Sequence, residues 1–126
     1  MRAVDANVLV RLLTRDDAAQ VAAAEAFIER GAWISHVVLA EAAWVLTAVY
    51  DRKPDDVAAA IEMLLNHREL AVQEPTVVAE GLALFRKRPA LEFSDCLAVE
   101  LARKAGHIPM GTLDRALAKV DGAQQL

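Results

Sequence analysis

Four acidic residues sit where an α/β chain most readily builds chemistry. Asp5 ends the apolar opening of MRAVDANVLVRLL, Glu41 interrupts HVVLAEAAWVL, Asp95 follows Ser94 in EFSDCLAVELA, and Asp114 follows GTL in GTLDRALAK. Three of them have ordinary structural readings taken singly: Asp5 as a helix cap, Asp95 as an acid in a first helical turn, Asp114 as a turn residue. Glu41 has none, because Val37, Val38, Ala40, Ala42, Val45 and Leu46 offer it neither a cation nor polarity. A carboxylate buried there needs a compensating charge.

If the four converge, their repulsion has to be answered. Two carboxylates about 4.5 Å apart repel by roughly 3–4 kcal/mol at an effective dielectric near 20, so clustered acids either raise their pKa or recruit a cation. Recruitment is the reading adopted here. Oxygen donors suit Mg²⁺ or Mn²⁺, and no Cys/His pairing points to zinc. His36, His67 and His107 are dispersed and read as surface or loop residues.

The elements that must position these acids alternate in type. Ala3–Asp5 reads as a short buried strand feeding a helix from about Asn7, its cap, to Thr14. Asp16 and Asp17 precede an amphipathic helix carrying Val21, Ala24, Ala26, Phe27 and Ile28 near one side, stopped by Gly31. Ala32–Ile34 is a second strand, and Ser35 caps a helix to about Tyr50 that is apolar nearly all round and so predicted to be buried. Pro54 opens a helix to about Asn66, Leu70–Val72 is a third strand, and Pro75 opens a helix through Lys87 with Val78, Leu82 and Phe85 as its stripe. Ser94 caps a helix to Ala105 ended by Gly106; Ile108–Met110 is a fourth strand, Thr112 and Asp114 lead a last helix, and Ala123–Leu126 supplies a weak fifth strand. The expectation is an α/β fold, one domain over residues 1–126, with a short central parallel sheet of four to five strands flanked by helices on both faces. In such sheets functional groups gather beyond the carboxyl ends of the strands, where Asp5 lies.

Bulk properties narrow the class. The 126 residues suffice for a core without disulfides or structural metal, and the single cysteine, Cys96, excludes an internal disulfide. No basic and apolar leader and no membrane-length apolar run is present, so a cytoplasmic protein without a membrane span is expected. The chain is 56% hydrophobic but only 5% aromatic, more apolar than soluble domains usually are, which suggests a surface covered by a partner. A formal charge of −4 does not by itself predict nucleic-acid binding.

The four phrases that carry the acids, in this order and across essentially the whole chain, resemble the PIN-domain family of metal-dependent ribonucleases, and within it the VapC-type toxins of bacterial toxin–antitoxin pairs. The resemblance implies that Asp5, Glu41, Asp95 and Asp114 are catalytic and coordinate Mg²⁺ or Mn²⁺. It matches Asn7 to the polar residue that orients the first acid, Ser35 to the cap of the helix carrying the second, and Thr112 to the hydroxyl before the last. The activity it implies is endonucleolytic hydrolysis of RNA. With the four acids counted as ligands the remaining formal charge is zero, which removes the electrostatic objection to RNA. Candidate phosphate contacts are Arg11, Arg86, Lys87, Arg88, Arg115 and Lys119. The resemblance also implies a homodimer and a cognate antitoxin lying in an apolar groove, for which Trp33, Trp44, Phe27 and Leu13 are candidate linings. Two alternatives stand beside it: a phosphoacceptor receiver-like signalling domain, disfavoured because no Lys closely follows the fourth strand, and a catalytically silent PIN assembly module.

Overall fold

A computed structural model describes all of residues 1–126. Its elements run β1 (Arg2–Ala3), α1 (Ala6–Thr14), α2 (Ala18–Ile28), β2 (Ala32–Ile34), α3 (His36–Ala48), α4 (Pro54–Asn66), β3 (Leu70–Val72), α5 (Pro75–Lys87), α6 (Phe93–Ala105), β4 (Met110–Thr112), a 3-10 turn (Leu117–Lys119) and β5 (Ala123–Gln125). All strand pairings are parallel, as connections through helices demand. The five expected strands form, but as two sheets: β1-β2-β3, with β2 central, and a separate β4-β5 pair.

Several boundaries move, each for a local reason. The first strand stops at Ala3 rather than Asp5; both its residues are exposed at the sheet edge, whereas a buried strand was expected. Its ladder is prolonged by Val4, whose N–H donates to the Trp33 carbonyl at 3.2 Å. The fourth strand shifts from Ile108–Met110 to Met110–Thr112, because Ile108 precedes Pro109, which has no N–H to give a ladder. The helix expected after Asp114 shrinks to the 3-10 turn.

The core lies between the helices and the three-stranded sheet. Leu9, Ile34, Leu39, Ile61, Val78 and Val99 are almost wholly removed from water. α5 and α6 approach closely at Gly81, where a Cβ would stand 3.4 Å from the Leu97 Cα, and Phe85 meets Phe93 edge-on with centroids 5.9 Å apart. That seam fixes the start of α6. At the other side, His36 is buried rather than on the surface or in a loop. Its N–H donates to Gln73 Oε1 at 2.9 Å and its Nε2 lies 2.7 Å from the Gln73 carbonyl, tying the start of α3 to the end of β3.

α3 is less buried than its composition predicts. Leu39, Ala42, Ala43 and Leu46 face inward, while Val37 and Trp44, two turns apart on one face with Glu41 between them, are exposed, as is Val49 just past the helix end.

Candidate metal centre

Asp5 is the N-cap of α1. Its backbone is extended (φ −95°, ψ 179°) and its Oδ1 accepts from the Val8 N–H at 3.1 Å, so Asp5 takes the capping role expected of Asn7. Asn7 instead lies inside the first turn, exposed, with a carboxamide that makes no hydrogen bond. One oxygen of Asp5 meets Val8; no basic side chain pairs with either. Asp5 therefore serves as a cap and still presents a negative charge.

Glu41 projects from the second turn of α3, past the Ser35 cap, whose Oγ accepts from the Val38 N–H at 3.1 Å. It is exposed, and the burial penalty expected of it does not arise. It shares the exposed face of α3 with Val37 and Trp44, while Ala42 and Leu46 turn inward.

Asp95 occupies the first turn of α6, whose N-cap is Glu92 rather than the expected Ser94. Its carboxyl is raised above the ordinary value, first by partial burial, then by the charges of Glu92 and Asp114. The structure therefore brings Asp95, Asp114 and Glu92 within electrostatic reach of one another. Glu92 was missed in the sequence, although its spacing of three before Asp95 at a helix start would place both on one face.

Asp114 is held by a compact turn. Its Oδ1 accepts from the N–H groups of Ala116 (2.8 Å) and Leu117 (3.3 Å), while its own N–H donates to Thr112 Oγ1 at 3.0 Å. Thr112 thus orients Asp114 through the backbone.

None of Asp5, Glu41, Glu92, Asp95 or Asp114 forms a salt bridge, although seven ion pairs occur elsewhere. Oxygen-only donors with uncompensated charge fit a hard divalent cation. As they stand, no three His, Cys, Asp or Glu side chains are gathered into a group able to hold one.

The basic candidates divide by engagement. Arg11 donates to Gln20, to Asp16 at 3.0 Å and to the Tyr50 hydroxyl at 2.7 Å. The Tyr50 hydrogen bond, ahead of the Asp16 charge, raises the Arg11 pKa. Arg86 pairs with Glu62 at 3.2 Å and Arg88 donates to the Lys119 carbonyl at 3.4 Å. The side chains of Lys87, Arg115 and Lys119 are exposed and unpaired.

The expected groove is not one surface. Trp44 borders an apolar cavity of about 200 Å³ between α3 and the Pro89–Ser94 segment, Phe27 borders a cleft between α1 and α2, and Leu13 lies elsewhere, toward α4. No helix is long and apolar enough to cross a membrane.

Among known proteins, a family model described as PIN domain matches residues 2–123. No curated protein and no solved structure gives a significant match. Matched over all but its extreme ends, the chain belongs to the PIN domain family, a fold that generally serves nucleases.

Proposed function

We propose that this protein is a Mg²⁺- or Mn²⁺-dependent endoribonuclease, with Asp5, Glu41, Asp95 and Asp114 holding the metal. The observation that carries the reading is Asp95, a part-buried carboxyl crowded by Glu92 and Asp114 with no cation beside any of them. A folded chain keeps such a group only at a cost in stability, which a bound cation would offset.

A divalent ion held by these acids would supply a lowered pKa for bound water and positive charge to offset that of a phosphodiester. The chain's own contribution is placement. The Asp5 cap bond engages one carboxylate oxygen and leaves the second without a hydrogen-bond partner, and Thr112 with the Ala116 and Leu117 amides sets the Asp114 carboxylate. No side-chain nucleophile is required. Of the basic candidates, Lys87, Arg115 and Lys119 are unpaired and available to the RNA backbone, and Arg11 keeps part of its guanidinium free.

In this reading the protein acts as the toxin of a VapBC-type pair, as a homodimer restrained by an antitoxin. The exposed Val37 and Trp44 on one face of α3 support a protein partner. The test is cleavage of total RNA with Mg²⁺ or Mn²⁺ by the wild type, Asp5→Asn and Asp95→Asn. Cleavage should require metal and be lost in both variants; metal-independent cleavage, or activity in both, would sink the assignment.

A further inference from the structure

The cleft between α1 and α2 begins at Asp5 and has a volume of about 520 Å³, within the roughly 300–1,000 Å³ range of small-molecule sites. Asn7, Arg11, Gln20, Ala23 and Phe27 line it with Asp5. At its Arg11–Gln20 end the hydrogen-bonding groups that these two side chains leave free are donors. Of the five N–H donors of Arg11, the Nε hydrogen goes to Gln20 Oε1 and the two on Nη1 go to Asp16 and the Tyr50 hydroxyl, so both on Nη2 remain free. The same bond fixes Gln20: its oxygen faces Arg11, which leaves the Nε2 hydrogens for a ligand. Tyr50 in turn donates to Asp16 at 3.0 Å, so Arg11 is held from three sides.

The wall beyond carries an aromatic ring, one face of which a guanidinium covers. Phe27 is half-buried on the wall, and the Arg2 guanidinium sits 3.8 Å from its centroid. Aromatic rings and guanidinium planes are the surfaces on which unpaired RNA bases stack. Arg11 lies about 9 Å along the helix from Asp5, so a base bound there belongs to a nucleotide beside the phosphate at the acids.

We infer that this cleft is a nucleobase subsite selecting guanine, whose O6 and N7 present two adjacent acceptors to the free donors of Arg11 and Gln20. Adenine places an amino donor where guanine has O6 and is opposed by the same groups. This inference rests on the ribonuclease reading, because it takes RNA as the ligand.

The test measures fluorescence anisotropy of labelled short oligouridylates in Ca²⁺, each carrying one central guanosine, adenosine or 7-deazaguanosine, with unsubstituted oligouridylate as reference. The guanosine strand should bind the wild type roughly tenfold tighter than the adenosine strand, with 7-deazaguanosine falling between, the scale of one good bidentate base contact. Gln20→Ala should erase that preference while leaving oligouridylate binding within about twofold. Ala23→Phe, an exposed position filled to block the cleft, should also erase it. Equal binding of all strands by the wild type, or a uniform loss across strands in Gln20→Ala, overturns the base subsite. Absence of binding to every strand overturns the ribonuclease reading and this inference with it.

Discussion

Asp5 does two things that a pair of substitutions separates. As the N-cap of α1 it satisfies the Val8 N–H at 3.1 Å, and as an unpaired carboxylate it is a proposed metal ligand. Asp5→Ala removes both. Loss of the cap should cost about 1 kcal/mol, which for a domain of this size lowers the melting midpoint by about 4 °C. Asp5→Asn keeps a capping oxygen of equal quality and loses only the charge–dipole share, no more than about 0.5 kcal/mol. Removing a supporting residue around a metal costs about 10–100-fold, so loss of a direct ligand should cost at least the upper end. Both variants should therefore fall by about 100-fold or more in Mn²⁺-dependent RNA cleavage, while only the alanine variant melts lower. Thermal melts by circular dichroism and cleavage of labelled RNA read the two effects. An asparagine variant that keeps its activity would refute the ligand role, and one that melts as low as the alanine variant would refute the cap reasoning.

Asp95→Asn should stabilise the chain at neutral pH while abolishing metal-dependent activity. The folded pKa of Asp95 lies above its unfolded value, so ionisation costs stability in full above the folded pKa and nothing below the unfolded one; the gain should vanish as pH falls through that window, followed by urea midpoints against pH. Gly122→Ala should cost about 1–3 kcal/mol, because φ is +96° and the added Cβ would meet Arg103 Nη2 at 3.0 Å. Gly106→Ala, with φ +82° but nothing within 4 Å, should sit at about 1 kcal/mol, and equal urea shifts for the two would contradict the packing argument. The Cys96 thiol is pushed up to about 11, chiefly by burial and then by the Asp95 charge, so it should resist alkylation at neutral pH until the chain is unfolded.

Local chemistry and periodicity made most of the chain legible. Ala32–Ile34, Leu70–Val72, Pro54–Asn66 and Pro75–Lys87 fold within the bounds their sequences predict, because Pro at a helix start and short apolar runs between helices act within a few residues. The separation into two sheets was not legible, since nothing in MGT or AQQ says which neighbour it pairs with. The burial of His36 was equally hidden: its partner Gln73 is 37 residues away.

The sequence alone determined the alternation of strands and helices, the order of the four acidic phrases and the family they resemble, because these depend on residue type and spacing. Only the tertiary structure decided that Asp5 rather than Asn7 caps α1 and that Glu41 is exposed. It also brought Glu92 and Asp114 to bear on Asp95, and tied Arg11 to Asp16, Gln20 and Tyr50. The physical reason is range: propensity and capping are settled over one or two turns. Burial and charge–charge coupling depend on which distant surfaces the packed helices bring face to face.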